Sequence, residues 1–158
     1  MSREIVILRH AQAQPPAAGQ ADASRELSEH GHAEAAAVRR WFSEHGLQFD
    51  AVLCSSATRA RQTLDAVLGD AAAQARIESR IYEATPGTLI DVLDTARGAG
   101  RVLLVGHNPG LEQLVALLTE GRSEIAHGLP TAGVARLSIP TGQALEPGVA
   151  TLHAFWSP

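Results

Sequence analysis

The sequence contains no lysine: all 13 of its basic residues are arginine. A genome biased towards arginine codons leaves the same gap, and the 28 alanines among 158 residues fit that origin. The chemical exclusions hold whatever the cause. Schiff-base and pyridoxal chemistry need a lysine amine. A Walker A loop needs a lysine to reach the β- and γ-phosphates, and protein kinases need one on a strand. Cysteine is nearly absent as well. Cys54 stands alone, so no internal disulfide can form. The apolar run from Ile5 to Leu8 is too short for a signal peptide or a membrane span. A cytoplasmic protein without a membrane partner is the expectation.

Metal-ligand spacings are missing too. There is no HExxH pattern and no Cys/His cluster. His30 and His32 lie two apart on a predicted helix and so do not share a face. His45, His127 and His153 have no partner spacing. No metal and no cofactor is therefore expected.

What is present describes an ordinary globular chain. Hydrophobic residues make up 45% and charged residues 19%. The length suits a single domain over residues 1–158, large enough to bury a real core. A net charge of −4 argues against a nucleic-acid partner, which would call for a basic surface.

The apolar pattern alternates between two periods. Glu4 to Leu8 is a near-continuous β-branched run, the mark of a strand buried on both faces. Ser28 is placed to cap a helix that runs to about His45 and is closed by Gly46. Ala51 to Cys54 reads as a second strand. Ser55 and Ser56 can cap a helix from about Ala57 to Leu68. A weak strand is expected near Arg76 to Ile81, then a helix from Pro86-Gly87 to Gly98. Arg101 to Val105 is a third strong strand. Asn108 would cap a helix with Pro109 at its first position, stopping at Gly121. Val134–Ile139 and Val149–Trp156 read as strands joined by a Pro/Gly-rich turn. Strands alternating with helices predict an α/β fold: a single-domain three-layer α/β/α sandwich on a mostly parallel central sheet.

In such sheets, ligands collect beyond the carboxyl ends of the strands. The first strand delivers Arg9 and His10 there. The second delivers Ser55, Ser56 and then Arg59 on the first turn of a helix. The third delivers Gly106, His107 and Asn108. Two guanidinium forks beside helix N-termini make an anion site, most naturally for phosphate. Two histidines add a nucleophile and a second donor. Other phosphatase chemistries do not match. A Cys-x5-Arg loop starting at Cys54 would need arginine where Ala60 stands, and an aspartate nucleophile would stand where His10 does.

The segments Leu8-Arg9-His10-Ala11, Ser55-Ser56-Ala57-Thr58-Arg59-Ala60-Arg61-Gln62-Thr63 and Val105-Gly106-His107-Asn108-Pro109 resemble the three motifs of the histidine phosphatase (phosphoglycerate mutase-like) superfamily. The short length and Arg25-Glu26-Leu27-Ser28-Glu29-His30-Gly31 make the chain most similar to SixA-type phosphohistidine phosphatases. Ala11 replaces the usual glycine of the first motif. The resemblance implies a phosphoglycerate mutase-like fold and a metal-independent phosphatase. In it His10 is the nucleophile, and Arg9, Arg59 and His107 surround the phosphoryl oxygens. Arg25 takes a supporting phosphate contact, and Glu83 is either a general acid or a solvated loop carboxylate. The implied substrate is a protein-borne phosphohistidine, because short spacers leave the site open. Two alternatives stand beside it: a phosphomonoesterase for small phosphate esters, and a non-catalytic phosphoprotein-binding module.

Overall fold

A computed structural model describes residues 1–158. Six strands form one sheet in the order β3-β2-β4-β1-β5-β6. They are β1 (Ser2–Arg9), β2 (Ala51–Cys54), β3 (Arg76–Ile77), β4 (Arg101–Gly106), β5 (Val134–Pro140) and β6 (Thr151–Trp156). The pairs β3-β2, β2-β4 and β4-β1 are parallel, while β1-β5 and β5-β6 are antiparallel. The helices are α1 (Glu29–Glu44), α2 (Thr58–Leu68), α3 (Pro86–Asp94) and α4 (Gly110–Glu120).

The strand period of two sorts the core into two layers. Ile5 and Ile7 of β1 face one side with Val102, Leu104, Leu89, Val92, Leu111 and Leu114. Val6 and Leu8 face the other with Leu103, Val105, Val38, Leu64 and Val67. Helices α3 and α4 thus cover one face and α1 and α2 the opposite one, as a three-layer sandwich requires. β1 and β4 are central, and all of Ile5–Leu8 and Leu103–Val105 are fully buried. At the far end of the sheet, Glu4 accepts from Arg101 of β4 and Arg136 of β5, which ties three adjacent strands together.

Most element boundaries follow the local signals. Ser28 accepts the Gly31 N–H and caps α1, and Thr85 caps α3 with Pro86 behind it. Two caps differ from the sequence reading. Helix α2 starts after Ala57 without a side-chain cap, because the Ser55 hydroxyl is engaged elsewhere. Helix α4 begins at Gly110 with Pro109 as its cap residue, although Asn108 still accepts the Glu112 N–H through Oδ1. The weak strand shrinks to Arg76–Ile77, followed by a 3-10 turn over Ser79–Ile81.

Candidate active site

The parallel register pairs Arg9 with Gly106 and Cys54 with Val105. All three strong strands therefore end level, and the residues that follow them meet. The segments after β1 and β4 leave towards opposite faces, which opens a crevice between those strand ends. The His10 and His107 rings lie there with centroids 5.1 Å apart.

Each group is held by bonds that decide what it can do. His10 Nδ1 lies 2.7 Å from the Ala11 carbonyl. A carbonyl only accepts, so Nδ1 carries the proton and Nε2 keeps its lone pair. Burial pushes the His10 imidazolium pKa down to about 4, helped by Arg59 and Arg9, so the ring is neutral at ordinary pH. Ala11, where the family resemblance expects glycine, is fully buried, and its N–H donates to Thr63 Oγ1 at 3.0 Å. The methyl group is absorbed by the core, and the backbone turn is kept.

His107 Nε2 lies 2.7 Å from Ser55 Oγ. That hydroxyl already accepts the Ala57 N–H. We assign it as the donor to Nε2, which places the His107 proton on Nδ1. Nδ1 is buried without a protein partner. Burial, with His10 and Arg59 nearby, lowers the His107 pKa to about 3. Arg9 Nη1 donates to the Leu129 carbonyl at 3.0 Å, while its Nε is also buried and unpartnered. Orphaned donors of this kind are rare and call for an acceptor.

Arg59 is 7% exposed and comes off the first turn of α2. Its Nη1 donates to the Asp22 carbonyl and its Nη2 to the Asp22 carboxylate. Arg59, His107, Glu83, Thr85 and Gln113 line a cavity of about 470 Å³ with Asp22 at its mouth. Glu83 is exposed at the rim in left-handed backbone, with φ 54°, which a non-glycine residue rarely adopts. Arg25 reaches the same rim, but its Nη1 donates to Asp22 Oδ1 rather than pointing freely into the cavity. Of the residues singled out in the sequence, Arg59, His107 and Glu83 share this cavity and His10 meets His107 ring to ring, whereas Arg9 lines a neighbouring recess with Asn108 and Leu129 and Arg25 is held at Asp22. Asp22, Tyr82, Ser55 and Glu34 were not among them, or not in these roles. Only Ser55 carried a local signal, its place at a strand end. No group of three or more His, Cys, Asp or Glu side chains is arranged to hold a metal ion, and no helix is long and apolar enough to cross a membrane.

A level row of strand ends carrying two neutral histidines and arginine forks defines a phosphoryl-handling α/β protein. Residues 5–93 match the histidine phosphatase superfamily (branch 1). The chain is 37% identical to an uncharacterized protein of Mycobacterium tuberculosis, covering 96% of this chain and 99% of that one. A candidate phosphohistidine phosphatase SixA of Nakamurella multipartitia has the same fold with a TM-score of 0.85 and 27% identity, over 100% of this chain and 97% of that one. The protein histidine phosphatase SixA complexed with tungstate matches with a TM-score of 0.82 and 25% identity, over 98% of this chain and 96% of that one. Proteins named for phosphatase activity on small phosphate esters share the fold at 20% identity or below. The chain belongs to the histidine phosphatase superfamily. Its membership and its likeness to SixA support a phosphatase that uses a histidine nucleophile.

Proposed function

We propose that the protein removes the phosphoryl group from phosphohistidine on another protein, through a phosphorylated His10. The observation that carries this reading is the His10 Nδ1–H bond to the Ala11 carbonyl, which leaves Nε2 free to attack. Nε2 forms a bond to phosphorus as the substrate's P–N bond breaks, and the departing imidazole takes up a proton from solvent water at this open site. Water then attacks phospho-His10 and releases orthophosphate. Arg9, Arg59 and the Nδ1–H of His107 stabilise the phosphoryl oxygens in both steps, with Arg25 at the rim. No step calls for a lysine or a metal.

The acid side of the site favours a P–N substrate. An imidazole leaves readily, whereas an alkoxide needs a proton in the transition state. Asp22 is held ionised by Tyr82 and Arg25, and Glu83 stands exposed at the rim. A second reading, hydrolysis of small phosphate esters, is favoured by the position of Glu83 on the rim of this cavity.

A panel assay separates them. The purified protein is given a phosphohistidine protein, phosphoramidate and several phosphate esters, with and without chelator. Phosphate release confined to P–N substrates, unaffected by chelator and reduced at least about a thousandfold in His10→Ala, is the expected result. Ester turnover that dominates and collapses in Glu83→Gln would establish the second reading instead. Loss of activity with chelator would sink the metal-free mechanism.

A further inference from the structure

The carboxylate that engages the candidate site most closely is Asp22, in the 3-10 turn Asp22–Ser24 of the loop between β1 and α1. Its backbone carbonyl accepts from Arg59 Nη1 at 2.8 Å, and its Oδ2 from Arg59 Nη2 at 3.0 Å. Its Oδ1 accepts from Arg25 Nη1 at 3.0 Å. The Tyr82 hydroxyl donates to Oδ2 at 2.5 Å. The Tyr82 ring in turn meets His107 edge-on, with centroids 5.4 Å apart, and lies 5.9 Å from the Arg59 guanidinium. One exposed side chain therefore joins two arginines and a tyrosine around the mouth of the cavity.

Three roles are open to such a group: proton donor, internal competitor for the arginines, or orienting partner. A donor must hold a proton. The hydrogen bond from Tyr82, with those from Arg25 and Arg59, keeps the Asp22 carboxyl well below the usual carboxylate range, so it has none to give. A competitor must occupy the donors that a phosphoryl group would use. Asp22 grips Arg59 only on its end, across Nη1 and Nη2, and one of the two acceptors is a backbone carbonyl fixed by the turn. The bonds to Asp22 use only Nη1 and Nη2, so the Nε–H of Arg59, on a side chain that lines the cavity, keeps its hydrogen-bonding capacity. A planar guanidinium anchored at one edge presents the other edge as a rigid pair of donors.

We infer that Asp22 is a positioning residue that turns the side edge of Arg59 towards the phosphoryl group. The inference takes from the proposed function only that this pocket holds a phosphoryl group. Tungstate, an oxyanion of similar shape, is the probe, with affinities measured by calorimetry on the full chain. Asp22→Ala is expected to bind it about tenfold more weakly. In an Arg59→Ala background the same change should cost less than about twofold, since the group that it orients is gone. In an Arg9→Ala background, whose guanidinium Asp22 does not touch, the loss should return to about tenfold. Asp22→Asn, which keeps an acceptor oxygen, should recover part of the affinity and leave the pH–rate profile unmoved.

The outcomes are separable. Tighter binding by Asp22→Ala would make Asp22 a competitor, and unchanged binding would leave it no role in the pocket. An equal loss with and without Arg59 would mean that it acts by another route. A displaced pH profile in Asp22→Asn would make it a proton donor. Any of these overturns the inference. A wild-type chain that binds no tungstate would overturn the phosphoryl pocket itself along with it. Asp22 lies on an exposed turn, so the variant should fold; its near-ultraviolet circular dichroism and urea midpoint check that.

Discussion

His10 and His107 are neutral because the protein buries them, and burial makes their charged forms costly. The unfolded chain titrates histidine near 6.5, whereas the folded one holds these rings near 4 and 3. Between those limits the unfolded state binds more protons, so stability rises with pH through the window. Their contribution is complete above about 6.5 and is lost as pH falls through about 4 for His10 and about 3 for His107. Urea midpoints should therefore drop between pH 7 and pH 4.5, and drop less in His107→Asn, which has no ring to protonate. An equal drop in both proteins would mean that other groups control acid stability. At this scale the sequence was informative where a polar residue closes an apolar run. Arg9, His10 and His107 are of that kind, and Arg59 follows one turn beyond. Asp22 and Tyr82 sit in loops, where no periodicity marks one residue as different from its neighbours. Ser55 was legible as a strand-end hydroxyl, but it bonds His107 as well as the Ala57 N–H that precedes α2.

The elements show why the second motif extends past its arginine. Thr63 Oγ1 donates to the Arg59 carbonyl and accepts the Ala11 N–H, which clips α2 to the end of β1. Gln62 accepts the Leu27 N–H, and buried Glu34 accepts both the Gln12 N–H and the Thr131 hydroxyl. The loop that carries Asp22 is thus pinned at both ends, by α1 and α2. Gly31, in the first turn of α1, lets that loop pass: a Cβ there would stand 2.0 Å from the Gln12 carbonyl oxygen. Gly31→Ala should cost about 1–3 kcal/mol through overpacking and should lower kcat/KM beyond what the lost stability explains, because the loop must shift. Gly98→Ala, whose Cβ would meet nothing within 4 Å, should leave activity unchanged. Urea melts and initial rates on both variants test the pair. The starts of the helices and the caps of α1 and α3 were legible because they depend on neighbours a few residues away, whereas α3 ends at Asp94, short of the expected Gly98. The hydrogen bonds from Thr63, Gln62 and Glu34 were not legible, because their partners lie on other elements.

Across the whole molecule, the sheet acts as a rigid plate with the reacting groups along one edge. Among the sparse aromatics, Trp41 stacks on Trp156 with centroids 5.0 Å apart, beside Phe42, closing the α1 face over β6, while Tyr82 stands against His107 at the cavity. A ligand that binds the strand-end pocket must stabilise the entire fold, because the pocket exists only when the sheet is assembled. Tungstate at a hundred times its dissociation constant should add about 2.7 kcal/mol, a rise in Tm of roughly 5–10 °C. Arg59→Ala should lose most of that rise at the same concentration. Scanning calorimetry decides it, and an undiminished rise in the variant would place the anion elsewhere.

The sequence by itself determined the alternation of strands and helices, most of their limits, and the four polar residues that end or follow the strong strands. Those signals are local: burial period, capping and turn chemistry act within a few residues. Only the tertiary structure decided that β4 lies between β1 and β2, that Arg9 is level with Gly106, and that Asp22 closes on Arg59 beside Tyr82. These follow from two-sided burial of the central strands and from hydrogen bonds between distant segments. Absent lysine left arginine as the cation of this site; the fold determined which arginines meet there and which of their edges remain free.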